Sequence, residues 1–157
     1  MKAAIDSADS FPVAGLSAIK VTIIYEDFAS GTWAKRFAER LADFLECTCS
    51  LSETIWRSEL LECPPLADQA ARAAAECDYL IVSLHGDRVL PFAARQWIEA
   101  QLERAAERGM GLILLSDSSQ AKWRVVEATR HHLRCACAMK DVAFFSHAVT
   151  APALLTA

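Results

Sequence analysis

Apolar and polar positions alternate along this chain in blocks that predict strands and helices in strict succession. The clearest strand is the β-branched run at residues 19–25, whose continuous apolar character is typical of a strand covered on both faces. An amphipathic helix follows, because large apolar residues recur at helical spacing opposite charged ones. These apolar residues are Trp33, Phe37, Leu41, Phe44 and Leu45.

The same pattern continues to the end of the chain. Residues 47–55 alternate small apolar with hydroxyl side chains, which predicts a half-exposed edge strand. Pro64 and Pro65 can open a second helix, since the first helical turn needs no backbone donor. The remaining predicted elements are strands at 78–84, 112–115 and 142–145, a helix at 94–105 that stops at Gly109, and a helix at 123–137.

Five strands that alternate with helices predict an α/β fold. Right-handed crossovers give a three-layer sandwich with a five-stranded parallel sheet in the order 2-1-3-4-5. Residues 1–18 are expected to form a mobile N-terminal segment before a single domain at 19–157. After the fifth strand, Pro152 and the short remaining length leave little room for a helix, so the final helix is expected to be missing.

Composition narrows the classes of partner. The net charge is -4 and the pI is near 5.5, which argues against nucleic acid or an anionic membrane surface, since both need clustered basic residues. The N-terminus lacks the apolar core of a signal peptide, and no apolar run reaches the length of a membrane span, so a cytoplasmic location is expected. The six cysteines are expected to be reduced and buried.

The first loop carries the first candidate chemistry. Ser30, Gly31 and Thr32 could hold an anion through their amides and hydroxyls, although capping of the first helix by Ser30 or Thr32 is the simpler interpretation. Glu26 and Asp27 could ligate Mg²⁺ at the end of the first strand, as carboxylates do in receiver domains of response regulators. That reading also needs an Asp after the third strand and a Lys after the fifth, and neither is present, so no metal site is predicted.

His85 is the strongest catalytic candidate by residue type. Asp87 lies two residues further on, and Ser116 follows the neighbouring strand. No G-x-S-x-G turn is present to expose and activate a serine, so polarity of the loop is the simpler interpretation. No catalytic residue is therefore assigned, and enzymatic activity is not expected.

Two other sets of side chains have simple structural interpretations. Trp56 and Trp123 could line a pocket for a flat aromatic ligand, but aromatic residues at such positions usually pack in a core. A cluster near the end of the chain is interpreted as a solvated basic face. Its members are Arg130, His131, His132 and Arg134.

Three segments resemble the flavodoxin-like family, which covers roughly 125 residues of this chain. Ser30-Gly31-Thr32 resembles the loop that holds the phosphate of FMN in that family. The segments at 80–99 and 116–119 resemble those that carry the two flavin-flanking loops. The resemblance implies a cofactor-binding set of Ser30, Gly31, Thr32, His85, Gly86, Asp87, Ser116, Asp117 and Ser118.

The chain departs from this family at the ligand positions. Phe28 and Trp33 stand where flavodoxins have hydroxyl residues, His85 stands where an aromatic ring stacks on the flavin, and Glu26 and Asp27 would repel a phosphate. The preferred hypothesis is therefore a non-catalytic domain that binds a partner protein or a small anionic or flat aromatic ligand at the strand carboxyl ends. An FMN-binding electron carrier is the alternative, and a receiver-like signalling domain is the second alternative. No resident cofactor is expected unless FMN is retained.

The missing final helix also predicts an assembly. In this strand order the helices after strands one and five share one face of the sheet, so loss of the second leaves apolar surface there. The N-terminal segment, with Phe11, Val13 and Leu16, could fold across this surface. Alternatively, a symmetric homodimer through the first-helix side of the sheet would bury equivalent patches of two copies. We therefore expect a homodimer.

Overall fold

The computed structural model describes residues 18–44, 50–85, 89–117 and 123–149. The strands are β1 (Ala18–Tyr25), β2 (Ser50–Arg57), β3 (Tyr79–Leu84), β4 (Gly111–Asp117) and β5 (Phe144–Val149). The helices are α1 (Phe28–Phe44), α2 (Pro64–Ala74), α3 (Phe92–Ala105) and α4 (Trp123–Met139), and a short 3-10 helix (Ser58–Glu62) joins β2 to α2. The N-terminal segment at 1–17, the end of the chain at 150–157, Gly86, Asp87 and Ser118 lie outside the described residues.

All five strands are parallel, and their order is β2-β1-β3-β4-β5. This confirms the predicted three-layer sheet with strand order 2-1-3-4-5, the order of flavodoxin-like sheets. The three inner strands are apolar along their length because both of their faces are covered. On one face α1 packs over the sheet, and on the other α2, α3 and α4 cover a larger apolar core.

The inner surface of α1 differs from the predicted stripe of large residues. Trp33 is fully buried, but Phe44 is 81% exposed, so its predicted inward position is wrong. The face that meets the sheet is made mainly of small residues, which let the helix axis approach the strands closely while the larger side chains lie on its flanks. The buried residues of this helix are Ser30, Gly31, Trp33, Ala34 and Ala38.

The last strand is displaced relative to the prediction. Strand β5 begins at Phe144 rather than residue 142 and continues to Val149. Val142 instead lies in the turn after α4, where its amide donates to the Cys137 carbonyl and its side chain is buried. The apolar side chain of Val142 therefore packs at the end of α4 and is not part of the strand.

Other expectations have mixed outcomes. Gly109 ends the turn after α3 with a φ of 74°, the left-handed conformation that favours glycine. The four described cysteines are free, and Cys77 and Cys137 are buried, but Cys63 and Cys135 are exposed, so the burial expected for them is wrong. Among the described helices, none has both the length and the apolar composition needed to cross a membrane.

Candidate functional site

The loop between β1 and α1 is closed by a reciprocal cap. Asp27 Oδ1 accepts a hydrogen bond from the Ser30 amide at 2.9 Å, which makes Asp27 the capping residue of α1. Ser30 Oγ in turn accepts from the amides of Glu26 at 3.0 Å and Asp27 at 2.9 Å. Thr32 Oγ1 only donates back to the Phe28 carbonyl. The prediction that Ser30 or Thr32 caps this helix is therefore wrong, because α1 begins at Phe28 and both residues lie inside the helix.

His85 ties the loop after β3 to the loop after β1. Its Nδ1 lies 2.8 Å from Asp27 Oδ2, and its backbone amide donates to Glu26 Oε1 at 2.9 Å. On its other side, Nε2 lies 3.5 Å from Asp117 Oδ2 at the end of β4. The imidazole thus stands between two carboxylates from different strand ends. We call the group formed by Asp27, His85 and Asp117 the His85 cluster.

Trp33 and Ser83 pack or bond next to the His85 cluster and help to position it. The indole of Trp33 meets the His85 ring edge-on, with ring centroids 5.2 Å apart. Ser83 Oγ donates to the Ser30 carbonyl at 2.7 Å and so joins β3 to the first turn of α1. The Trp33 indole N–H is buried and has no hydrogen-bond partner in the described part of the chain. Trp33 therefore positions His85 by packing, without a hydrogen bond of its own.

Opposing effects set the charge state of Asp27. Partial burial by itself raises the pKa of this carboxyl, but hydrogen bonds from the Ser30 amide and from His85 favour the ionised form more strongly. The pKa of Asp27 is consequently lowered from its ordinary value of 3.8. The carboxylate form is the one that caps α1 and holds His85.

This shift predicts a dependence of stability on pH. Because the pKa of Asp27 is lowered by folding, its contribution is fully present above pH 4 or so and is lost as the pH falls through the folded-state pKa. Asp27→Asn keeps a capping side chain but cannot ionise. Urea unfolding between pH 7 and pH 3 should show the stability difference between wild type and this variant shrinking as acid is added. A difference that is constant over this range would contradict the prediction.

Strand alternation separates Ser116 from the His85 cluster. Asp117 lies on the His85 side of the sheet, whereas Ser116 is fully buried on the opposite face, beside Leu84. Its Oγ has no hydrogen-bond partner within the described residues. The structure therefore brings together Ser30, His85 and Asp117 of the predicted set, but it does not pair Ser116 with His85. No group of three ligating side chains in the described ranges could hold a metal ion.

Gly31 has a packing role that its place in the phosphate-loop resemblance did not predict. A Cβ atom at this position would lie 2.9 Å from Cδ2 of Tyr25 and 3.2 Å from its Cγ. The absence of a side chain therefore lets the first turn of α1 close onto the end of β1.

A small cleft opens at the same edge of the sheet. Its volume is about 100 Å³, whereas sites for small organic ligands usually span about 300–1,000 Å³. The lining residues are Glu26, Ser58, Glu59, Glu62, Leu84, Val89, Leu90 and Pro91.

Large apolar side chains are exposed around this edge. Phe28 at the start of α1 is 87% exposed, and Phe92 at the start of α3 is 64% exposed. Leu60 in the 3-10 helix and Val89 after β3 are also exposed. Because parallel strands end at one edge, all four side chains follow carboxyl ends of the sheet.

Trp56, in contrast, packs against the core beside α2, so it does not offer the flat-ligand surface considered from the sequence.

The fold and the His85 cluster define a doubly wound α/β domain with a polar site at the carboxyl ends of β1, β3 and β4. A comparison of the chain with protein-family models, curated proteins and solved structures finds no match in any of the three.

Proposed function

We propose that this protein is a non-catalytic binding module with flavodoxin-like architecture, and that it recognises a partner protein at the carboxyl edge of its sheet. The observation that carries this proposal is the group of large apolar side chains exposed at this edge. Exposed apolar side chains near a polar rim are typical of protein–protein contact surfaces. We call Phe28, Leu60, Val89 and Phe92 the apolar rim.

The first loop offers little to an anionic ligand. The amides of Glu26, Asp27 and Ser30, which could otherwise bind a phosphate, already donate to side chains of the loop itself. The carboxylate of Asp27 faces this region, and its lowered pKa keeps it negative at neutral pH. A phosphate would have to displace these bonds and approach a negative charge, which disfavours an anionic ligand and with it the electron-carrier alternative.

The His85 cluster is better suited to holding loops than to catalysis. A general base needs an open nitrogen within reach of a substrate, but both ring nitrogens of His85 face carboxylates at 2.8 Å and 3.5 Å. Ser116 lies on the other face of the sheet, and the hydroxyls of Ser30 and Ser83 donate to backbone carbonyls and not to this histidine. These contacts support a structural role for the cluster beneath the apolar rim.

Matched substitutions test where a partner binds. Phe28→Ser and Phe92→Ser together remove the two most exposed rim side chains, and serine is tolerated in the first turn of a helix. Phe44→Ser removes an equally exposed ring at the opposite edge of the sheet. The immobilised wild-type domain and the Phe44→Ser control should retain a shared protein from an extract of the source cells, and the double variant should not. Equal retention by all three, or by none, would contradict the proposal.

Flavin binding should be weak or absent. Because the loop amides are engaged and Asp27 is ionised at neutral pH, we expect FMN to bind with a Kd poorer than about 1 μM. Calorimetric titration and an absorbance scan of protein purified after flavin addition measure this directly. A yellow protein with nanomolar affinity would instead support the electron-carrier alternative.

The homodimer expected from the sequence stays a prediction. On the α1 side of the sheet, Phe145 is more than half exposed, and the exposed His147 ring contacts Phe37 on the flank of α1. These side chains could contribute to a shared interface. Light scattering at micromolar concentration should give twice the chain mass, and a monomer mass would contradict it.

A further inference from the structure

Strand β5 forms one edge of the sheet, and no strand lies beyond it in the described ranges. The Leu112 amide donates to the Ala143 carbonyl at 2.9 Å, so the backbone of residue 143 faces β4. Backbone polar groups alternate in direction along a strand, so those of Phe144, Ser146 and Ala148 point away from β4. These three residues offer a row of donors and acceptors to an additional strand.

The opposite edge of the sheet, strand β2, carries charged side chains that discourage pairing with another chain, whereas β5 does not. Strand β2 carries Glu53 on the face that α1 covers, where partial burial raises the pKa of the carboxyl. The same strand ends with the exposed Arg57. Charged side chains of this kind prevent edge strands from pairing with other chains. Strand β5 contains no Lys, Arg, Asp, Glu or Pro, and Phe145, Ser146, His147 and Ala148 are exposed in succession.

Helix α4 places positive charge beside this edge. The Arg134 guanidinium lies over the Phe144 ring, 5.6 Å from its centroid, and the Arg130 Nε donates to Ser146 Oγ at 2.9 Å. Arg130 also pairs with Glu127, whereas Arg134 has no carboxylate partner in the described part of the chain. The side chains of Phe144 and Ser146 therefore lie under cations, on the same face that an added strand would share.

We propose that the open edge of β5 binds an extended acidic peptide segment of a partner, which adds to the sheet as a sixth strand. Its backbone would bond to Phe144, Ser146 and Ala148, and a carboxylate on the α4 face would pair with Arg134. A second copy fits less well, because a two-fold axis perpendicular to the sheet would set two α4 helices side by side on one face. Pairing of these three outward residues with their own copies centres on Ser146, so that arrangement would bring the two Arg130 side chains together, and like charges repel.

The probes are two synthetic heptapeptides with blocked ends, Thr-Glu-Val-Glu-Thr-Glu-Val and the same sequence with lysine in place of glutamate. Backbone pairing is available to both, so only their charge differs. We expect saturable binding of the glutamate peptide, seen as shifts and slowed hydrogen exchange at the amides of Phe144, Ser146 and Ala148. The lysine peptide should bind at least tenfold more weakly.

Two pairs of variants separate the backbone contribution from the charge. Ala148→Pro removes an outward donor without removing a bond to β4, and Ala148→Val is its control. Arg134→Glu reverses the charge beside the edge, and Arg72→Glu makes the same change on an exposed position of α2. We expect Ala148→Pro and Arg134→Glu each to weaken binding of the glutamate peptide at least tenfold, while both controls bind like wild type.

Several outcomes would overturn the proposal. Equal binding of the two peptides, absence of saturable binding at millimolar concentration, or shifts confined to another surface would each do so. Edge amides that are protected from exchange before any peptide is added would show that the chain covers its own edge. A dimer that Ala148→Pro dissociates would assign the edge to a second copy. Circular dichroism of each variant verifies that loss of binding does not reflect loss of the fold.

Discussion

Trp33→Ala is expected to lower the free energy of unfolding by about 3–5 kcal/mol, the usual cost of deleting a buried aromatic side chain. Trp33 is 0% exposed and lies between α1 and the sheet, in contact with the His85 ring. The vacated volume would leave both His85 and the neighbouring strand residues without packing partners. Urea unfolding followed by circular dichroism measures the loss.

Trp33→Phe provides the matched control. The indole N–H makes no hydrogen bond among the described residues, so its removal should cost little beyond the reduced volume. We therefore expect Trp33→Phe to lose less than half as much stability as Trp33→Ala. Equal losses for the two variants would show that the indole N–H has a partner, and a negligible effect of Trp33→Ala would show that this packing contributes little.

Gly31→Val should produce the second large effect, a loss of about 1–3 kcal/mol from overpacking. The new Cβ would lie 2.9 Å from Cδ2 and 3.2 Å from Cγ of Tyr25. These ring atoms are close to the backbone, so they cannot move aside as the end of a flexible side chain could. Either Tyr25 must rotate or the first turn of α1 must move away from β1. Thermal and urea unfolding both report this loss.

Lys35→Val controls for the helical propensity of valine, since Lys35 is exposed on the same helix. Its cost should remain below about 0.5 kcal/mol, as for most surface substitutions. If Gly31→Val and Lys35→Val have the same stability, the close approach of α1 to Tyr25 is not important for folding. Chemical shifts of the Tyr25 ring would additionally report whether the ring moves.

The sheet was predictable because strand burial leaves a strong pattern. Continuous apolar runs at β1, β3 and β4 follow from coverage on both faces, and the alternation at β2 follows from its place at an edge. The end of the chain was less predictable, because Val142 is apolar for a reason unrelated to the sheet. Its burial at the end of α4 shifted the predicted strand towards the N-terminus.

The site was only partly predictable, because its contacts join distant segments. The sequence placed Ser30, His85 and Asp117 at strand ends, but it offered Asp87 as the carboxylate near His85. The observed partner is Asp27, which the parallel pairing of β1 with β3 brings within 2.8 Å. Asp27 lies three residues before Ser30, a spacing that indicates a capping box. This spacing could have predicted that the amides of this loop bond to its own side chains. The cap was instead assigned to Ser30 or Thr32, because hydroxyl residues are common at helix starts.

The double connection between the loops after β1 and β3 has a consequence for the thermodynamics of recognition. Loops at a sheet edge commonly lose conformational entropy when a partner binds, at about 0.5–1.5 kcal/mol for each side chain that becomes ordered. Here His85 holds the loop after β1 before any encounter, through its ring to Asp27 and its amide to Glu26. Phe28, which follows directly, is thus presented on a preorganised frame. Docking against Phe28 should therefore depend on shape complementarity and not on induced ordering of the loop after β1.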